Sequence, residues 1–241
     1  MSLHLLPDRV GRAAENMALD FLLLQRYPQS LAPRFRHYTW QGPAFTFGYS
    51  QKIAFVRSQL PADTAFDLCR RPTGGGIVDH RHDWTYAFVL PRGHPLEELP
   101  APQSYRTVHE SLATALRLQG VPAGLQSASE AGKSAAASPP TIAGVCFQRA
   151  ECHDVIHEQT QRKIAGGAQK RNKHGLLFQG SIEQAATGLA VDWEKFREDF
   201  VASLAESSGL IVEPTPWPEF GDDEAERLAE HYSTPEWIEF R

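Results

Sequence analysis

The 241-residue sequence has no apolar run near the roughly 20 residues that a membrane-spanning helix requires. Its first residues, MSLHLLPDRVGR, lack the basic start, the apolar run of about 7–15 residues and the small-residue cleavage site of a secretory signal. Those two absences predict a soluble, cytoplasmic protein with no membrane partner. Cysteine is scarce and odd in number, with Cys69, Cys146 and Cys152 alone. In a chain that is not exported, such a count builds no disulfide framework, so free thiols are expected. Basic charge is not in excess either: the formal net charge of -5 excludes a surface generally suited to coating nucleic acid. No internal repeat or linker splits the chain, and residues 1–241 are expected to form one large domain.

What is present alternates between helical and strand patterning. Residues 13–24, AAENMALDFLLL, carry apolar positions at helical spacing and predict an amphipathic helix. The stretches PRFRHYTWQGPAFTFGYSQ and LCRRPTGGGIVDHRHDWTYAFVLP mix aromatic and β-branched residues with Gly and Pro punctuation, which predicts strands in a mixed or antiparallel sheet. A second helix is expected over residues 104–119, ending at Gly120 and Pro122. Residues 126–140, QSASEAGKSAAASPP, read as a loop and a candidate lid. Short strands are expected around GVCFQ, CHDVIHEQTQRKIAGGAQ and GLLFQGSI, then a helix over residues 193–207 and a helical period before a Ser-Thr-Pro turn.

Two glycine clusters stand out. In RRPTGGGIVDH, residues Gly74, Gly75 and Gly76 lie between strands, where bare backbone permits a positive φ and close approach of a ligand. This is no nucleotide-hydrolase phosphate loop, since the Walker A ending is absent, and Asp79 replaces the last glycine of a dinucleotide fingerprint. The plain alternative is a glycine-rich hairpin bend. In RKIAGGAQ, Lys163 is placed at a strand start with Gly166, Gly167 and Ala168 clearing the space beside it. A lone lysine is usually a solvated surface charge. Between two glycine turns, however, its three N–H donors suit a carboxylate, a phosphate or a developing oxyanion.

These segments, in this order, resemble the lipoate-protein ligase and octanoyltransferase family of the biotin/lipoate protein ligase superfamily: ENMALDFLL, TWQGPAFTFGYSQ, RRPTGGGIVDH, KIAGGAQ followed by GLLFQGSI, and HYSTPEW near the end. The resemblance spans nearly the whole chain. It implies an α/β (α+β) fold, a mixed, largely antiparallel β-sheet packed by helices, with the acyl chain threaded past the glycine turn. It makes Lys163 the residue that holds the acyl carbonyl or acyl phosphate, lines the acyl pocket with Arg71, Thr73, Gly74, Gly75 and Gly76, and puts His80 beside it. The chain departs from the family at Arg81, where Asp usually follows the histidine, and at Gln179, where His is frequent.

The family holds both an ATP-dependent ligase, which makes an acyl-adenylate and needs ATP and Mg, and a transferase that needs no cofactor. GVCFQ resembles the cysteine loop of one octanoyltransferase subgroup, which implies Cys146 as nucleophile, with Lys163 lowering the thiol pKa and stabilising the oxyanion. The chain ends soon after the catalytic segment, which favours transfer over ligation. The implied donor is octanoyl acyl carrier protein, and the acceptors are lipoyl domains of 2-oxoacid dehydrogenases or the glycine cleavage carrier protein. The basic run over residues 162–173, five basic side chains without an acid, is a candidate docking strip for such carriers. Two other readings are weaker. A zinc site from Cys146, Cys152, His153 and His157 lacks a tight paired spacing. A nucleic-acid role lacks aromatics interleaved with the basic residues. Cys69 and Cys152 are expected in the core.

Overall fold

The computed structural model describes residues 1–62, 64–129, 150–221 and 223–240. The elements run β1 (Ser2–Leu5), β2 (Arg9–Gly11), α1 (Ala13–Gln25), β3 (Arg34–Trp40), β4 (Ala44–Phe47), α2 (Ile53–Gln59), β5 (Asp67–Arg70), β6 (Ile77–Asp79), β7 (Asp83–Pro91), α3 (Pro95–Glu98) and α4 (Ala101–Leu118). They continue with β8 (Ala123–Leu125), β9 (Val155–His157), β10 (Lys163–Asn172), β11 (Gly175–Glu183), α5 (Trp193–Ser207), β12 (Ile211–Pro214), α6 (Glu224–Ser233) and α7 (Pro235–Ile238). Cys146, the GVCFQ segment and most of the candidate lid lie outside the described residues. No helix among the described residues is long and apolar enough to cross a membrane.

The described strands form two sheets. The larger has the order β12-β1-β3-β7-β11-β10-β9-β8, with β2 pairing β3; the smaller has the order β5-β4-β6. Parallel pairs gather at the β12-β1-β3 end, whereas β3, β7, β11, β10, β9 and β8 pair antiparallel in succession. The long central strands β7 and β11 carry a clear two-residue alternation. Trp84, Tyr86, Phe88, Phe178 and Ile182 face α4 and α5, whose Leu112, Leu116, Phe196 and Phe200 complete that core. Ala87, Val89 and Leu177 face the other way, against Met17 and Leu23 of α1 and Tyr232 of α6, with Cys69 of the small sheet in the same cluster.

Four expectations change here. The strands divide between two sheets, because alternation reports which side chains share a face and leaves partners open. The glycine triplet is not a hairpin bend: β5 and β6 lie on opposite edges of β4, one parallel and one antiparallel to it, so residues 71–76 cross the end of β4. Cys152 is half-buried in the turn before β9 and outside the core, while Cys69 is buried as expected. Burial pushes the Cys69 thiol up to about 12, which leaves it an inert hydrophobe. Helix α1 also departs from a simple amphipath. Because it lies between the large sheet, the small sheet and α6, it buries residues on most of its faces, including the polar Asn16 and Asp20.

Candidate active site

The lysine strand and the glycine turn meet. Gly75 adopts φ +91, a left-handed conformation that favours glycine, and a side chain there would come within 3.2 Å of Arg71 Nη2 and 3.8 Å of Ala168 Cβ on β10. A second glycine makes the turn fit: at Gly48 an added Cβ would sit 2.0 Å from the Gly75 carbonyl oxygen, so the strand leaving β4 tolerates no side chain at that crossing. Between turn and strand lies a cavity of about 510 Å³ counted with its open mouth. Lys163, Gly166, Gly167, Ala168, Gly75, Arg71 and His80 all line it, with Met17, Tyr38 and Val78 supplying apolar wall.

Lys163 opens β10, as the sequence predicts, and it is nine-tenths buried. Its Nζ lies 2.7 Å from Oδ2 of Asp154, itself almost wholly buried. The pairing of β10 with β9 shifts register between Lys163 and Ala165, an irregularity of the kind that redirects a side chain. The space the ammonium occupies exists because residue 166 is glycine: a Cβ there would fall 2.6 Å from both Cε and Nζ of Lys163. The Asp154 carboxylate also accepts from the Tyr105 hydroxyl at 2.5 Å and from the Glu151 amide at 2.7 Å. Burial, then the adjoining Asp154 charge, holds the Tyr105 hydroxyl well above its ordinary range, so it stays protonated and donates.

The other wall is braced from behind. Arg71 donates through Nη1 to Thr46 Oγ1 at 2.8 Å and through Nη2 to the carbonyls of Gly74 and Gly76 at 2.9 Å each, which clamps the glycine loop. Thr73, Gly74 and Gly76 thus stand on the loop behind the cavity surface. Thr73 donates to Gln179 Oε1 at 2.7 Å, and Gln179 donates through Nε2 to Asp20 Oδ2 at 2.6 Å. Asp20 in turn pairs with the wholly buried Arg36 at 2.6 Å and accepts from Tyr38 at 3.0 Å.

His80 stacks on Trp40 with ring centroids 4.0 Å apart, and bridges Thr46 Oγ1 at 2.7 Å to Asp83 Oδ2 at 2.6 Å. Asp83 Oδ2 also accepts from Thr85 at 2.7 Å and Ser181 at 2.5 Å. Asp83 therefore supplies the carboxylate that Arg81 does not, since Arg81 is spent on Asp79, 2.5 Å away.

Sequence reasoning missed Asp154, Asp83, Thr46 and Tyr105 as site residues. Asp154 had a legible signal: it precedes a short strand whose antiparallel partner begins at Lys163, so a hairpin there draws the two side chains together. Tyr105 had none, because its hydroxyl reaches Asp154 across tertiary packing. Of the suggested zinc ligands, Cys146 lies outside the described residues, and among those residues no group of three or more His, Cys, Asp or Glu side chains is placed to hold a metal ion.

A buried lysine–carboxylate pair is weak evidence for stability, since desolvation consumes most of the Coulombic gain. At the edge of a cavity walled by bare backbone, the pair instead holds a cationic hydrogen-bond donor at the cavity wall. Residues 12–202 match the family model of the lipoyl protein ligase A/B catalytic domain. The octanoyltransferase LipM of Kyrpidia tusciae is 28% identical over 97% of each chain. That of Halalkalibacterium halodurans is 32% identical over 70% of this chain and 61% of its own length. Among solved structures, the lipoate protein ligase Ta0514 of T. acidophilum with bound lipoic acid superposes over 99% of both chains with a TM-score of 0.69 at 20% identity, which shows the fold.

Proposed function

The chain belongs to the lipoyl protein ligase A/B catalytic-domain family, and from that premise we propose that it is an octanoyltransferase that passes an octanoyl group from acyl carrier protein to a lysine of a lipoyl domain through a thioester on Cys146. The observation that carries the reading is the Lys163 ammonium, held by Asp154 in the cavity that the Gly75 turn and the Gly166, Gly167 and Ala168 strand enclose. The reading takes residues 1–241 as one catalytic domain acting in the cytoplasm.

In the first half-reaction the Cys146 thiolate attacks the thioester carbonyl, a C–S bond forms to the enzyme, and the carrier sulfur leaves as a thiolate that takes up the proton Cys146 released. In the second, the ε-amine of the acceptor lysine attacks the same carbonyl carbon, an amide forms, and the Cys146 sulfur leaves, taking up the proton the amine loses. Each step passes through an oxyanion, and Lys163 is the donor that stabilises it. Thiolate–thioester exchange is nearly isoenergetic, so no ATP is consumed. The cavity's apolar wall supplies the remainder: six methylenes at about 0.8 kcal/mol each would contribute roughly 5 kcal/mol if fully buried. The acceptors are lipoyl domains of 2-oxoacid dehydrogenases or the glycine cleavage carrier protein.

The test incubates the full chain with octanoyl acyl carrier protein and a lipoyl domain, in parallel with octanoate or lipoate plus ATP and Mg. Octanoylation from the carrier without ATP is expected, with an octanoyl adduct on Cys146 by mass spectrometry and none in Cys146→Ala. Product from the free acid and ATP alone, or full activity in Cys146→Ala, overturns the thioester route.

A further inference from the structure

Strand β9 supports β10 only briefly: it pairs with it at Lys163 and Ala165 and stops, so the Gly167 amide lies past the end of that ladder. That amide donates instead to the Tyr105 hydroxyl at 2.9 Å, and the same hydroxyl donates to Asp154 Oδ1 at 2.5 Å. Asp154 Oδ2 then meets Lys163 Nζ at 2.7 Å. The four groups close a ring that begins and ends on β10, four residues apart, with one phenol as its only member from α4.

One turn further along α4, the His109 ring packs tilted against Tyr105 with centroids 4.2 Å apart and donates through Nδ1 to the His153 carbonyl at 2.7 Å. Since a carbonyl only accepts, Nδ1 carries the proton. His153 stands at φ +69, a conformation costly for a side-chain-bearing residue, directly before Asp154. Helix α4 thus grips both the carboxylate and the bent backbone that presents it. Gly167 must be bare for this geometry: a Cβ there would lie 2.6 Å from the Phe178 ring, which packs against both Tyr105 and His109.

We propose that Tyr105 is the positioning residue of the acyl-transfer centre: its hydroxyl takes the place of the missing strand partner at Gly167 and locks Asp154, and through Asp154 the Lys163 ammonium, in the orientation that meets the acyl oxygen, while His109 holds the backbone turn behind it. The inference rests on the transferase reading above. Tyr105 touches no reacting atom and acts through Asp154.

Tyr105→Phe keeps the ring and its packing and removes only the hydroxyl. The expected result is a kcat for octanoyl transfer lowered by about 10- to 100-fold, the scale of a misplaced catalytic group, with the donor KM within about twofold. Because both residues act through one group, Tyr105→Phe added to Asp154→Asn is expected to cost no more than Asp154→Asn alone. Equal kcat in wild type and Tyr105→Phe, or fully multiplicative losses in the double variant, overturns the proposal. Hydrogen exchange on the wild-type chain gives a second reading independent of the variant's folding and of catalysis: the Gly167 amide is expected to be protected, and free exchange there overturns the bridge. A wild type that transfers no octanoyl group, with Gly167 protected, defeats the transferase reading instead and with it the assignment of Tyr105 to acyl transfer.

Discussion

Two buried carboxylates flank the cavity, each joined to one cation and one tyrosine, and they do different work. Asp20 binds Arg36 and Tyr38, with both charged side chains at 0% exposure. Asp154 binds Lys163 and Tyr105, and the lysine retains 8%. Arg36 is a rigid planar fork: Nε meets Asp20, Nη2 donates to the Asn16 carbonyl at 2.7 Å, and the guanidinium lies 3.9 Å over the Tyr38 ring. Its directed donors tie β3 to α1, and through Gln179 and Thr73 the cluster reaches the glycine loop. Lys163 is a point charge on a flexible stem, and it lines the cavity. The same three kinds of group make a scaffold joint where the cation is directed inward and, on the function proposed above, a reactive centre where the cation borders open space.

Substitutions on the two sides should separate these roles. The largest expected effect is Lys163→Met, which keeps the apolar stem and removes the ammonium: octanoyl transfer falls by about a thousandfold, the scale of losing an oxyanion donor, in steady-state assays. A rate within tenfold of wild type would remove Lys163 from the chemistry. On the scaffold side, Asp20→Ala leaves Arg36 charged and unpaired at full burial, and stability falls by about 3–5 kcal/mol in urea unfolding. If that variant unfolds like wild type and loses only activity, the assignment of the two clusters is reversed.

The smallest effect is one of pH, and it belongs to the Lys163 side. Burial holds the His109 imidazole down at about 4, below its ordinary 6.5. Between those values the unfolded chain binds a proton that the folded chain refuses. The stability present above about pH 6.5 is therefore lost as pH falls toward 4, by up to about 3 kcal/mol. His37 and His94, also held down by burial, titrate in both proteins and set the baseline. His109→Leu should flatten the acid limb of an unfolding-versus-pH series; an unchanged slope would show that the buried ring contributes nothing.

The helices were largely legible. The expected helix over residues 193–207 matches α5, and α1 and α4 lie within three residues of their expected bounds, since apolar spacing over several turns is a strong signal. Lys163 at a strand start and the glycines beside it were equally readable. Harder to read was which glycines mattered and why. Gly166 vacates room for the lysine's own end, and Gly48 lets one turn cross another. Both facts depend on which atoms arrive from elsewhere. The partners of His80 and the phenol behind the Lys163–Asp154 pair were invisible for the same reason. Asp83 reaches His80 from the start of β7, and Tyr105 reaches Asp154 from a helix 49 residues earlier in the chain.

The sequence by itself determined the long helices, the family and the residue types that a cationic donor beside bare backbone requires, because periodicity, glycine content and motif order are local properties of a chain. Only the tertiary structure decided that two sheets face each other across a cavity and that a phenol from α4 completes the lysine's support. It also decided that one buried ion pair is a joint while the other borders the cavity. Those outcomes depend on distances between segments far apart in the chain, which packing sets and no local pattern encodes.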